Sequence, residues 1–139
     1  MADEHQPDQR FRKGERLTLA REFDQVFGAR RSAAGKFLVV YAARNELGYN
    51  RIGLVVGRRT GSAPVRNKFK RLVREAFRLS KSEQPIGWNW VVLPRLPKKE
   101  KKVASAPPPE WSLIELQSEF IQLVRRLARV PRGESGKQQ

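Results

Sequence analysis

The stretch GRRTGSAPVRNKFKRLVREAFRL, residues 57 to 79, leaves a strand through a basic pair and a glycine turn and enters a long amphipathic helix. Thr60, Gly61 and Ser62 carry the turn signal. Pro64 suits the first helical position because its missing N–H needs no partner there, so the helix is predicted from about Pro64 to Leu79. At about 100° per residue, Arg66, Asn67, Lys70, Arg71, Arg74 and Arg78 share an arc of roughly 140°. Val65, Phe69, Leu72, Val73 and Ala76 fall opposite, with Phe77 and Leu79 at the margins, which gives an apolar back and a cationic front. A merely solvated face interleaves both signs to gain i, i+4 pairs. Here Glu75 is the only acid between Arg58 and Arg78, among eight Lys and Arg residues. Such crowding destabilises an isolated helix unless a polyanion offsets it, and Arg adds a planar, bidentate fork for phosphate. Arg58 and Arg59 extend the positive surface past the helix N-terminus, where free N–H groups also favour an anion. A charge pair at a hairpin edge is the plainer reading of those two.

Upstream, Thr18 is placed to cap a short helix whose Leu19, Phe23, Val26 and Phe27 follow helical spacing, with Gly28 to end it. Ala29 to Lys36 is basic and rich in small residues, and Phe37 to Ala42 reads as a well-buried strand. After a loop at Asn45 to Asn50, Arg51 to Gly57 repeats the strand signal, and the two strands are expected to pair antiparallel. Downstream, Trp88 to Leu93 reads as a third strand that Pro94 stops. Ser112 and Glu115 form a capping box for a last helix carrying Leu113, Leu116, Phe120, Leu123, Val124 and Leu127. The order helix, strand, strand, helix, strand, helix predicts an α+β fold with helices packed on a small sheet. The expected organisation is a flexible basic extension over 1–16, one RNA-binding domain over 17–130 and a disordered polar tail over 131–139. Within that domain, 95–110 is an exposed Lys/Pro-rich connection.

Composition bounds the function. The 139 residues suffice for one modest core, and 29 Lys plus Arg against 14 Asp plus Glu leave a net charge of +15, which points to a polyanionic partner. The longest apolar run, Phe37 to Ala43, is too short to cross a bilayer, so no membrane partner is expected. The first ten residues lack the apolar stretch of a secretory signal, and the expected location is the cytoplasm. There is no Cys for a disulfide or thiolate zinc site, and the only His, His5, lies in the polar N-terminal stretch. Only three Asp occur, Asp3, Asp8 and Asp24, and none clusters with Glu. No catalytic or metal-ligating residue is therefore assigned, which argues against a self-sufficient nuclease. A DNA-binding helix-turn-helix would need a helix just before the basic one, where the sequence has a strand.

Residues 57 to 77 closely resemble the signature of the bacterial ribonuclease P protein component. In that family a strand ends in a basic pair, a turn follows, and the helix reads R-N-x-x-K-R-x-x-R-E. Arg66, Asn67, Lys70, Arg71, Arg74 and Glu75 meet every fixed position. Lys68 takes the place of a usual second Arg, Ser62 of Asn and Pro64 of Val. The likeness extends to EFDQVF at 22 to 27, KFLVVY at 36 to 41 and WVVLPR at 90 to 95. It implies a small α/β sandwich with a central mixed sheet, like a ribosomal protein domain, with a left-handed βαβ crossover around the basic helix. It implies a protein subunit of ribonuclease P that binds the catalytic RNA subunit and the 5′ leader of precursor tRNA. The resemblance also implies that the RNA subunit performs the cleavage, with magnesium required by the RNA-based holoenzyme and no cofactor held by protein residues alone. Arg58, Arg59, Arg66, Asn67, Lys68, Lys70, Arg71, Arg74 and Arg78 are expected to face the RNA subunit. Phe23, Phe27 and Tyr41 match aromatics of the family's leader-binding cleft, with Arg30, Arg31 and Lys36 placed to hold the leader's phosphates. The alternative is a basic ribosomal-type RNA-binding protein with no role in tRNA processing.

Overall fold

Apolar periodicity is realised as three helices and four strands in the computed structural model, which describes residues 9–96 and 110–129. The elements are α1 (Ala20–Gly28), β1 (Ser32–Ala34), β2 (Leu38–Arg44), β3 (Arg51–Leu54), α2 (Ala63–Leu79), β4 (Trp88–Pro94) and α3 (Leu113–Arg129). The sheet runs β1-β2-β4-β3. Its first two pairings are antiparallel and β3–β4 is parallel, so the sheet is mixed and the α+β expectation holds.

The expected antiparallel pairing of the strands at 37–42 and 51–57 is not formed. β4 lies between β2 and β3, with Val40 opposite Val92 and Leu54 opposite Val92 from the other side. The reason is burial: Trp88, Trp90 and Val92 sink into one core and Val91 into another, so β4 needs cover on both faces and neighbours on both edges. A parallel β3–β4 pair in turn needs a crossover, which α2 supplies. β3 is also shorter than its signal. Val55 donates one more N–H to the Val92 carbonyl at 3.1 Å and the chain then leaves the sheet. The edge strand β1 falls where the sequence showed only small and basic residues.

Alternation along the strands sorts the sheet into two faces. Leu38, Val40, Ala42, Ile52, Trp88, Trp90 and Val92 meet α2 and α3, with Phe69, Phe77 and Phe120 fully buried among them. The Trp88 and Trp90 rings stack at 5.4 Å, and Trp111 meets Phe69 edge-on at 5.0 Å, which closes the main core. On the other face α1 packs Val26 against Ala43 and Val91.

Local chemistry sets the helix starts. Glu115 donates its N–H to Ser112 Oγ at 3.1 Å, as the capping box requires. For α1 the cap position is Leu19 rather than Thr18, and the Glu22 carboxylate accepts the N–H groups of both, each at 3.0 Å. α2 begins at Ala63 with Ser62 as cap, so Pro64 sits in the second helical position, where an N–H is equally unneeded. Gly61 before it has φ 146°, and a Cβ there would lie 3.0 Å from Val65 Cγ1, so the turn depends on glycine.

Residues 9–16 are not a flexible lead-in. Phe11 packs edge-on against Phe77 at 5.7 Å, Glu15 is buried in an ion pair with Lys81 at 2.8 Å, and Arg16 bridges to Ile52. One aromatic and one buried carboxylate are enough to seat the segment along α2. Residues 1–8 of the expected extension, most of the 95–110 connection and the 131–139 tail lie outside the described residues.

Candidate nucleic-acid interface

The basic face of α2 comes first from its own burial pattern. Phe69, Val73, Ala76 and Phe77 are buried, and Asn67, Lys68 and Arg71 are exposed on the far side. Arg66, Lys70 and Arg74 are half-buried, lying on the shoulder between core and solvent. Packing therefore restrains their stems, which lowers the entropy lost when each is held on a phosphate. Arg58 and Arg59 are exposed in the short 3-10 turn Arg58–Thr60 that leads into the helix.

Charge balance separates these residues. Among the described residues no carboxylate pairs with Arg66, Lys68, Lys70, Arg71 or Arg74. Arg78 differs: its Nη2 and Nε reach the two Glu75 carboxylate oxygens at 2.6 and 3.0 Å, so much of its charge is met within the helix. The same contact holds the Glu75 carboxyl below its ordinary value. At Arg74, burial first and the neighbouring Arg16 second lower the guanidinium pKa, the mark of positive charge crowded onto a poorly solvated shoulder. Arg16 was assigned no role from sequence, yet the docked N-terminal segment brings it beside Arg74 and over the Phe11 ring at 5.0 Å. The apolar Phe11 and Leu17 flanking that basic run were the signal that it packs.

The second candidate surface lies across the sheet. α1 shields this face only partly, leaving Phe23, Phe27, Tyr41 and Leu93 as a half-buried apolar patch. Phe27 and Tyr41 meet edge-on at 4.8 Å. Phe23 lies on Gly53 of β3, where a Cβ would come within 2.5 Å of the ring, so glycine is what lets α1 approach. The three aromatics predicted together are therefore together.

Of the three cations expected beside them, two are not. Arg30 is exposed just past the end of α1, in a left-handed conformation at φ 56° with its N–H donated to the Phe27 carbonyl at 3.1 Å, and so stays near the cleft. Arg31 is a correction: strand alternation turns it to the opposite face, where it is buried, lies 5.2 Å from the Trp88 ring centroid and donates to the Leu127 carbonyl at 3.1 Å. It serves the last turn of α3. Lys36 is also displaced, because the β1–β2 hairpin is tied to α3: Glu119 accepts the N–H groups of Lys36, Phe37 and Leu38 at 2.8, 2.8 and 2.6 Å. Its ammonium lies over Phe37 at 5.2 Å, several residues along the hairpin from Tyr41.

Among the described residues no three His, Asp or Glu side chains gather as metal ligands, and no helix is long and apolar enough to cross a membrane. The described residues thus set a cationic shoulder on α2 and a half-buried aromatic patch on opposite faces of one sheet.

Comparison with known proteins bears on both. The profile of the family described as Ribonuclease P matches residues 11–107. A ribonuclease P protein component from Petrotoga mobilis is 37% identical over 122 residues, covering 86% of this chain and 96% of that relative. The one from Thermotoga petrophila is 46% identical over 85 residues, 61% of this chain and 73% of that relative. Among solved structures, the ribonuclease P protein from Thermotoga maritima superposes with a TM-score of 0.65 at 34% identity, covering 81% of this chain and 96% of that one.

Proposed function

We infer from the chain's membership of the ribonuclease P protein family that it is the protein subunit of a bacterial ribonuclease P, associated with ribonuclease P RNA and acting in tRNA processing. The shoulder and outer face of α2, continued by Arg58 and Arg59, bind the RNA subunit through phosphates and sugars. The cleft between α1 and the sheet holds the single-stranded 5′ leader of precursor tRNA, with bases against Phe23, Phe27 and Tyr41 and Arg30 on the adjacent backbone. Stacking tolerates any base, which suits a protein that meets many precursors. Hydrolysis falls to the RNA subunit with magnesium, in the cytoplasm. This chain's residues offer no ligand cluster for the metal among those described.

One observation carries this reading: among the described residues α2 keeps five cations without carboxylate partners, Arg66, Lys68, Lys70, Arg71 and Arg74, on a protein already at +15. A polyanion is the counter-charge. The purified protein should stimulate cleavage of precursor tRNA by its cognate ribonuclease P RNA at low magnesium, because neutralising phosphates replaces part of what the metal does. No stimulation would reject this reading in favour of a ribosomal-type RNA-binding protein.

A further inference from the structure

Beyond the C-terminal end of α2 lies a cavity of about 470 Å³ that neither surface above includes. The docked N-terminal segment, the β2–β3 loop and the turn before β4 enclose it, and its size falls within the range of roughly 300–1,000 Å³ that small ligand sites occupy. Fully buried Phe77 contributes its floor, and Tyr49 and Ile86 stand at its mouth with 44% and 68% of their surfaces exposed. Such exposure of an isoleucine is ordinary in isolation, but here it borders a concave site beside an aromatic ring.

The polar wall groups are turned inward. Asn50 donates to Gln84 Oε1 at 3.0 Å and to the Pro85 carbonyl at 2.7 Å, and accepts the Trp88 N–H at 2.9 Å. Gln84 spends its own amide N–H groups on the Phe77 carbonyl and Ser80 Oγ, at 2.8 and 3.0 Å. Lys81 is held by Glu15 at 2.8 Å. Little is left to read the edge of a particular base, so the wall offers apolar and aromatic contact. Arg12 lines the rim, and neighbouring Lys13 is exposed. An apolar pocket with a cationic rim complements a flat, apolar ring attached to a phosphate.

We propose that this cavity receives one unstacked nucleotide of the RNA subunit, its base between Tyr49 and Ile86 and its phosphate at the Arg12–Lys13 rim. The choice of the RNA subunit over precursor tRNA follows from the lining, which includes Phe77 of α2 and none of Phe23, Phe27 and Tyr41. It rests on the reading above that α2 faces that RNA. Neither test side chain holds the fold: the Tyr49 contact to Asn45 Nδ2 is made by its backbone carbonyl, and Ile86 is mostly solvent-exposed.

The test measures the affinity of full-length protein for its ribonuclease P RNA across a salt series, for Tyr49→Ala, Ile86→Ala and Tyr49→Phe. Loss of stacking should weaken binding about tenfold for Tyr49→Ala. The slope of log affinity against log salt should stay unchanged, because no phosphate contact is removed. Ile86→Ala should weaken binding at the same slope, and Tyr49→Phe should bind like the wild type. Wild-type affinity in both alanine variants overturns the proposal, as does a loss seen for precursor tRNA and not for the RNA subunit. If Tyr49→Ala lowers the melting temperature, Ile86→Ala decides. A wild-type protein that does not bind the RNA subunit defeats the underlying reading instead, so the two failures are distinguishable.

Discussion

Substitutions of individual side chains separate the two proposed RNA surfaces. Arg66→Ala and Arg74→Ala each remove a cation with no carboxylate partner among the described residues, so each should reduce the salt slope of RNA-subunit binding by roughly 0.7 to 0.9 per lost phosphate contact. Arg78→Ala should change it less, since Glu75 already meets that guanidinium. Equal slopes for all three and the wild type would show that α2 does not carry the phosphate contacts. On the other face, Tyr41→Ala should weaken holoenzyme binding of precursor tRNA by about 1 to 3 kcal/mol and leave mature tRNA nearly unaffected. Gly53→Ala tests the same cleft from below. Its methyl would meet Phe23 at 2.5 Å, so the ring must swing and precursor affinity should fall with Tyr41 intact. Affinity lost equally for precursor and mature tRNA would assign these aromatics to the core.

Elements are held in place by a few carboxylates. Glu119 of α3 gathers three backbone N–H groups of the β1–β2 hairpin, one from fully buried Leu38. Glu119→Ala leaves those donors unmet and should cost about 2 to 3 kcal/mol, read as a lower midpoint in urea unfolding. Gly35 shows how close the contact is, since a Cβ there would lie 2.4 Å from the Glu119 carboxyl carbon. Glu22 does similar work at the start of α1. The Leu19 N–H above all, opposed by burial and helped by the Thr18 N–H and Arg51, holds its carboxyl below the ordinary 4.5. A carboxyl depressed on folding contributes stability that is fully present above its unfolded pKa and is lost as pH falls through the folded one. Melting temperature should therefore decline as pH drops below about 4.5, and Glu22→Gln should be less stable at neutral pH and show a shallower decline. An identical acid profile for the variant would remove Glu22 from that account.

At the scale of the molecule, the sheet keeps the two proposed RNA surfaces apart. One face carries α2 and α3, and the other carries α1 and the aromatic patch, so under the proposed function two RNA segments would be held at once. This arrangement calls for no hydrolytic centre in the chain. Ribonuclease P RNA with magnesium should cleave precursor tRNA slowly without the protein, and the protein alone should cleave nothing. Nuclease activity from highly purified protein, abolished by one carboxylate substitution, would contradict that division of labour.

Local information in the sequence determined the helices, most strand positions, the capping box at Ser112 and Glu115, and the cationic side of α2. These depend on periodicity and on contacts within a few residues. Phe23, Phe27 and Tyr41 were legible through resemblance together with helical spacing. Three features depended on tertiary structure. β4 inserted between β2 and β3 because Trp88 to Val92 could be covered on both sides only at the centre of the sheet, a gain that outweighs the short loop favouring a hairpin. Arg31 went to the core side because β1, too short and too small in its side chains to announce itself, fixed the parity of the residue before it. The segment at 9–16 joined the basic surface because Phe11 and Glu15 find Phe77 and Lys81 more than sixty residues away. Contacts so distant leave no local periodicity to read, and only the folded chain brings their partners within range.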